Sequence, residues 1–201
     1  MDERTLIQQA GAGDAQAFEQ LVIAYQKPVY NLALRMTGNR EDAFDLTQET
    51  FLKAWHAISL FQYDCKFLTW LCRIASNTCI DFLRKERRRK TVSLTAMDDL
   101  DETYEIDVVD PSQDPAGIVE QTMDREAVYQ ALQQLPPEYR AALSMRVMED
   151  MRYEDIAEAL NVKPGTVKSR ISRAREKLRR ELFGNFSASA SSESTKGGAA
   201  R

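Results

Sequence analysis

Gly165, Lys168, Ser169, Ser172 and Arg173 fall on one side of a helical wheel drawn at about 100° per residue, and none of them is apolar. Arg and Lys donate to guanine O6 and N7, and a serine hydroxyl pairs with either kind of base edge. A short helix exposing this set near its N-terminal end has the chemistry of a major-groove reader. Thr166, Arg170, Arg175, Arg179 and Arg180 flank that side and suit phosphates. A second set, Trp70, Arg73, Asn77, Asp81, Arg84 and Arg88, lines up within about 60° on another helical pattern. That strip joins an aromatic ring, an amide and three guanidiniums, so an exposed base can stack while its phosphates are held, which suits single-stranded or melting DNA. The run RKERRRK, Arg84 to Lys90, extends the positive track. A third set, Asp42, Asp45, Gln48, Glu49 and Lys53, is mostly acidic and amide at i, i+3 and i+4 spacing. DNA would repel it, so it reads either as a docking patch for a basic protein surface or as a plain solvated helix face.

Catalytic chemistry finds little support. There is no Gly-rich phosphate loop, His56 is the only histidine, and no close Cys or His pair has metal spacing, so neither a cofactor nor a metal is expected. His56 reads as a helix-surface residue. Cys65, Cys72 and Cys79 are odd in number and spaced by sevens, which fits free thiols better than a disulfide framework or a zinc site. The N-terminus MDERTLIQQA lacks the order of a secretory signal, and no run of about eighteen apolar residues exists, so a soluble cytoplasmic protein is expected.

The elements that must position these sets follow from periodicity. In YEDIAEALNVKPGTVKSRISRAREKL, Tyr153 to Leu178, Ile156, Ala157 and Leu160 form one apolar stripe and Asn161 tolerates the left-handed angles that end a helix. Val162 plugs the turn, Pro164 opens the next helix, and Val167, Ile171, Ala174 and Leu178 repeat on its buried side: a helix-turn-helix. Upstream, Asp14 can cap a helix carrying Phe18, Leu21, Val22, Tyr25, Val29, Leu32, Ala33 and Met36, which Pro28 should kink or split and Gly38 and Asn39 should end. A helix from about Arg40 to Ile58 follows, then a loop FQYDCKF, then a helix from about Leu68 to Arg88 burying Leu71, Ala75, Thr78, Cys79 and Phe82.

The net charge of -4 hides a segregation. From Thr91 to Asp124 there is no Lys or Arg among ten acidic residues, and over about Thr91 to Pro115, where no apolar period is sustained, a self-repelling extended linker is expected. Beyond it, Ile118 to Leu135 should form a helix stopped by Pro136 and Pro137, and a further helix from Pro137 to Met148 should bring Tyr139, Leu143 and Val147 into the helix-turn-helix core. The chain therefore reads as all-α: an N-terminal helical domain over residues 1–92, an acidic flexible linker over 93–116, a C-terminal domain over 117–183 containing the helix-turn-helix, and a Ser/Gly/Ala-rich disordered tail over 184–201.

Laid out in this order, the chain resembles the extracytoplasmic-function class of bacterial RNA polymerase sigma factors. The resemblance spans roughly Leu6 to Phe183 and is carried by GDAQAFEQLVIAYQKPVYNLALRMTGNREDAFDLTQETFLKAW, FLTWLCRIASNTCIDFLRKERR, LPPEYRAALSMRV and the helix-turn-helix. It implies that Asp45, Gln48, Glu49, Lys53 and Trp55 dock on the clamp helices of the largest subunit of core RNA polymerase. It also implies that the loop containing Phe61, Tyr63, Asp64 and Phe67, with the helix bearing Trp70, Arg73, Asn77, Arg84 and Arg88, reads and opens the minus-10 element of promoter DNA. Asn77 would lie beside a base flipped into that loop. Lys168, Ser169, Ser172 and Arg173 would read the minus-35 element, with Thr166, Arg170 and Arg175 beside them. Such factors are monomers when free, are commonly held by an anti-sigma factor that is often membrane-anchored, and thread the linker along the RNA exit path.

The chain departs from the family pattern at four positions. Tyr63 stands where glycine is usual and Cys65 where Ser or Ala is frequent. Asp150 and Arg152 replace the usual Gly and Ser, which loses a capping box worth about 1 kcal/mol. Competing readings are a response-regulator-like transcription factor, separable by co-purification with core polymerase, and a polymerase-binding decoy that would need neither basic helix.

Overall fold

The computed structural model describes residues 2–94, 127–148 and 151–193, and among these the regular structure is helical throughout. The N-terminal half contains α1 (Glu3–Gly11), α2 (Ala15–Thr37), α3 (Arg40–Ala57), a 3-10 turn (Ile58–Leu60) and α4 (Phe67–Leu94). The C-terminal half contains α5, helical over 127–133, then α6 (Pro137–Met148), α7 (Tyr153–Ala159) and α8 (Pro164–Glu193).

Caps set where the first helices begin and end. The Asp14 carboxylate accepts from the backbone N–H groups of Gln16 and Ala17 at 2.9 and 3.2 Å, which starts α2. Gly38 ends it with φ 74°, a left-handed angle that glycine adopts at no steric cost. Asn39 then caps α3 by accepting from Glu41 and Asp42. Pro28 lies inside a continuous α2, so of the two expected outcomes the split does not occur. A mid-helix proline costs about 3 kcal/mol. Burial of Leu21, Val29, Leu32 and Met36 along the same helix contributes about 1.5–3 kcal/mol per side chain, so packing outweighs the lost bond. These residues meet Ala43, Leu46, Phe51 and Ala54 of α3 and Leu71, Ala75 and Cys79 of α4 in the core.

In the C-terminal half, Ala141, Ala142, Leu143 and Met145 of α6 pack with Ile156 and Ala157 of α7 and with Val167, Ile171 and Ala174 of α8. The turn between α7 and α8 forms as the sequence predicts. Asn161 takes φ 50°, the Val162 N–H donates to the Ala157 carbonyl at 2.9 Å, and Pro164 is the first residue of α8. Arg152 sits at the N-cap of α7 without a side-chain capping bond; Asp150 lies outside the described residues. Val147, expected in the core, is 60% exposed, and Met151 at 6% is buried in the same half. α6 ends one residue after Val147, so the chain leaves the helix before that turn can be covered.

Two boundaries differ from those expected. α4 continues six residues past Arg88, and α8 runs ten residues into the segment expected to be a disordered tail. Once a helix is nucleated each further residue adds a bond at little cost, so low apolar content alone does not end one. Residues 95–126, which include nearly all of the expected acidic linker, and residues 194–201 lie outside the described residues.

The two halves pack against one another, α6 on α2 and α7 on α4. Arg140, only 4% exposed, is a main joint. Its guanidinium donates to the carbonyls of Gln133 and Leu135 at 2.6 and 3.0 Å, and also to the carbonyl of Met36 in α2. Burial pulls its pKa down to about 10, so it remains charged at neutral pH and satisfies carbonyls that two helix ends would leave bare. Gln133 reinforces the joint by donating to the Arg35 carbonyl at 3.4 Å.

Candidate functional site

The recognition surface on α8 is assembled as its periodicity requires. Val167, Ile171 and Ala174 face the core, and Lys168, Ser169, Ser172, Arg173 and Arg175 are exposed; Thr166 and Arg170 are half-buried beside them. Ser169 Oγ donates back to the Thr166 carbonyl at 2.9 Å. Arg173 donates to the Tyr139 hydroxyl at 3.3 Å, and that hydrogen bond raises its pKa, so the guanidinium is charged and held against α6 rather than free to sweep.

The second surface is the loop after α3 together with the first turns of α4. Phe61 and Phe67 are buried. Phe67 stacks on Trp70 at 5.5 Å between ring centroids, while Phe61 meets Tyr63 at 4.9 Å and Trp70 at 5.4 Å. Around this cluster Gln62, Tyr63, Asp64 and Lys66 are exposed. Tyr63 has φ 59°, the left-handed region that suits glycine, and the Arg4 guanidinium lies 5.3 Å over its ring. A non-glycine residue there costs roughly 1–2 kcal/mol, which the ring contacts offset. Along α4, Asn77, Arg84 and Arg88 are exposed and Arg73 and Trp70 half-buried.

Carboxylates from the other half reach this strip. Arg73 pairs with Glu158 of α7 at 3.1 Å, and Arg84 pairs with Glu138 of α6 at 3.3 Å and with Asp81 at 3.8 Å. A cleft of about 780 Å³ between the halves is lined by Arg73 and Asn77 on one wall and by Glu154, Glu158, Asn161 and Pro164 on the other. Sequence periodicity identified the strip but could not identify these partners.

The third surface lies on α3. Asp45, Gln48, Glu49 and Lys53 are exposed, and Trp55 is half-buried against Phe18 at 5.0 Å. Lys53 pairs with Glu49 at 2.7 Å and donates to Thr78 Oγ1 at 3.1 Å, which ties this face to α4. Asp42 has its pKa raised by burial and then by the like charges of Glu86, Asp45 and Glu41, so negative charge is concentrated here. Sequence reasoning missed an apolar companion to this patch. Phe44 and Leu52 are 58% and 61% exposed and, with Phe18, Val22, Phe51 and Trp55, line a cavity of about 500 Å³ between α2 and α3. The spacing of Phe44, Leu52 and Trp55 at i, i+8 and i+11 was the available signal, a second apolar stripe beside the acidic one.

The cysteines are free, Cys72 and Cys79 buried and Cys65 half-buried. Burial, together with a hydrogen bond and the charge of Glu158, pushes Cys65 up to about 12; burial does the same for Cys79. Both are protonated and unreactive near neutrality. Asp64, Cys65 and Glu158 lie close together, and Arg73 engages Glu158. His56 is exposed, with Nδ1 2.7 Å from the Leu52 carbonyl. Among the described residues no helix is long and apolar enough to cross a membrane.

Residues 21–89 match Sigma-70 region 2, and residues 125–178 match Sigma-70, region 4. The chain is 36% identical over 181 residues to the RNA polymerase sigma-H factor of Pseudomonas aeruginosa, covering 90% of this chain and 93% of that protein. It is 34% identical over 176 residues to the ECF RNA polymerase sigma factor SigW of Bacillus subtilis, covering 88% and 94%. Among solved structures it is similar to the sigma factor RpoE in complex with the anti-sigma factor NepR from Bartonella quintana, with TM-score 0.65, 25% identity and coverage of 84% and 98%. It is likewise similar to CnrH in complex with the cytosolic domain of CnrY, with TM-score 0.65, 26% identity and coverage of 91% and 99%.

Proposed function

This chain belongs to the extracytoplasmic-function class of RNA polymerase sigma factors, and we propose how its three surfaces divide the work of initiation. It binds core RNA polymerase and directs promoter-specific initiation through its region 2 and region 4 units. In our reading the α3 face, with Asp45, Gln48, Glu49, Lys53 and Trp55 and the neighbouring Phe44 and Leu52, docks on core. Its acidic rim selects a basic partner, and its apolar cavity supplies the area that lasting association needs. Tyr63, Asp64, Trp70, Arg73, Asn77, Arg84 and Arg88 engage the minus-10 element as it melts, with Phe61 and Phe67 holding the loop that presents them. Lys168, Ser169, Ser172 and Arg173 read the minus-35 element, and Thr166, Arg170 and Arg175 hold phosphates. An anti-sigma factor is the expected restraining partner, and the chain acts in the cytoplasm as a non-catalytic subunit.

The observation that carries this reading is the presence of two separate DNA-suited surfaces, on α4 and α8, beside a third that DNA would repel. A response-regulator-like activator would need only the second. The test is run-off transcription with purified core polymerase on a duplex promoter having two separated elements. The full chain should support initiation, and it should bind the same duplex poorly without core. Nanomolar sequence-specific binding by the free chain, with no initiation when core is added, would leave an activator as the better account.

A further inference from the structure

α1 touches the segment joining α3 to α4 at its start, its middle and its end. At the start the Gly11 backbone passes the 3-10 turn, where a Cβ built on Gly11 would stand 3.7 Å from Ser59 Cα and 3.8 Å from the Ile58 carbonyl oxygen. In the middle the Arg4 guanidinium lies 5.3 Å over the Tyr63 ring. At the end the Tyr25 hydroxyl donates to the Glu3 carboxylate, and the Tyr25 ring meets Phe67 edge-on at 5.4 Å. Glu3 and Arg4 stand about two turns from Gly11, so one side of a nine-residue helix follows the segment from Ser59 to Phe67. Ile7 and Ala10 on the same helix are buried in the core, which fixes α1 in this place.

α1 lies ahead of residues 21–89, the segment assigned to region 2, and belongs to none of the DNA or docking surfaces. Its buried residues account for its packing, and exposed Arg4 is not needed for that. A guanidinium over an exposed ring adds little to folding. Here, however, the ring belongs to the loop residue with φ 59°, and it is 40% exposed. It is held by Phe61, 4.9 Å away, and by Arg4. Phe61 is buried and immobilised among Phe67 and Trp70, so Arg4 is the member of the pair that can release the ring.

We propose that Arg4 is a specificity-determining residue for the minus-10 element, a positioning residue that holds the Tyr63 ring as a fixed wall of the loop. This rests on the assignment of that loop to a base of the melting strand. A wall fixed in place selects a base by its fit against the ring edge and the hydroxyl, which both donates and accepts. A released ring can turn its face to the base instead, and stacking accepts every base. Arg4 itself need touch no DNA.

The test is initiation by the full-length chain with core polymerase on promoters carrying each of the four bases in turn at the minus-10 positions. At the position whose preference Tyr63→Gly alters, Arg4→Ala should narrow the wild-type preference about two- to fivefold, the range of an exposed cation–ring contact, chiefly by raising initiation from disfavoured bases. Arg4→Lys, which keeps a charge beside the ring, should retain part of the preference. In a Tyr63→Gly background, where there is no ring to hold, Arg4→Ala should change nothing further. Lys27→Ala, which removes an exposed positive charge from α2, controls for net charge, and a thermal melt checks that each variant folds. An unchanged preference in Arg4→Ala, an equal change in Lys27→Ala, or an Arg4→Ala effect that persists in the Tyr63→Gly background would each overturn the proposal. So would a uniform loss on all four bases with the salt slope of promoter binding reduced by about one, which would make Arg4 a phosphate contact. Failure of the loop assignment is recognised separately: Tyr63→Gly would then leave preference at every minus-10 position as in wild type, and the proposal would fall with it.

Discussion

At the scale of single residues, the two DNA surfaces make separable demands. Arg173 is exposed on α8 and steadied by Tyr139 at 3.3 Å, so Arg173→Ala should remove a contact worth about 1–3 kcal/mol and relax preference at one or two minus-35 positions. A binding-site selection with holoenzyme would report that relaxation. Asn77 faces the cleft beside Arg73 and has no place in the helix-turn-helix. Asn77→Ala should leave minus-35 preference intact and reduce open-complex formation on duplex DNA. The loss should shrink on a template already mismatched at the minus-10 element, because unpairing that costs a few kcal/mol has then been met in advance. Permanganate reactivity of thymines on the two templates measures this, and an equal loss on both would assign Asn77 to readout after melting. Tyr63 poses a balance of opposing terms. Its φ of 59° costs roughly 1–2 kcal/mol that glycine would relieve, but glycine also gives up the rings of Phe61 and Arg4's cation–π contact and adds chain entropy of about 0.5–1 kcal/mol. Tyr63→Gly should therefore leave the thermal midpoint nearly unchanged while altering which minus-10 base the loop accepts, checked by the same selection.

At the scale of elements, caps and turns carry more weight than propensity. Gly38 combines a left-handed φ of 74° with the 2.7 Å approach of Gln133, so Gly38→Ala should destabilise the chain by about 1–2 kcal/mol. That corresponds to a fall of about 2–8 °C in the midpoint of a calorimetric scan. Such elements were legible in the sequence wherever a local rule decided them. Asp14 as a cap, Gly38 and Asn39 at the end of α2, Asn161 in the left-handed region and Pro164 at the head of α8 all depend on residues within a few positions of one another. At Pro28 the helix does not split because the local rule met a helix whose flanks are buried on α3 and α4, and packing overrode it. Val147 was misread because periodicity within α6 does not say whether its last turn is covered by another element. Phe44 and Leu52 escaped notice since an apolar stripe normally announces core, and only the fold shows that nothing in the described chain covers this one. Arg140 escaped for the complementary reason, a charged residue in an interior position that is satisfied only by carbonyls of two other helices.

At the scale of the whole molecule, the relation between the halves was beyond the sequence, because pairs such as Arg73 with Glu158 join residues far apart in the chain and many other pairings would satisfy the same charges. The face on α3 remains outside that closure, and this separation gives the last prediction its logic. Glu49→Lys places positive charge where a basic partner is expected, and it also repels Lys53, now its partner at 2.7 Å. Leu52→Ser instead empties the apolar cavity of one exposed wall without touching the charge. Because Leu52 is already 61% exposed, its loss should cost folding stability less than about 0.5 kcal/mol. At an interface core the same residue would lose about 1–2 kcal/mol of association, a several-fold to thirtyfold weakening. Competition for core polymerase against an unmodified sigma, run at two salt concentrations, separates the contributions. The Glu49→Lys defect should diminish as salt rises, since it acts through charge, and the Leu52→Ser defect should persist, since burial is not screened. Normal competition by both variants would return this face to an ordinary solvated surface and leave core docking to be sought elsewhere, whereas a salt-insensitive defect in Leu52→Ser alone would make the apolar cavity, rather than the acidic rim, the principal contact with core.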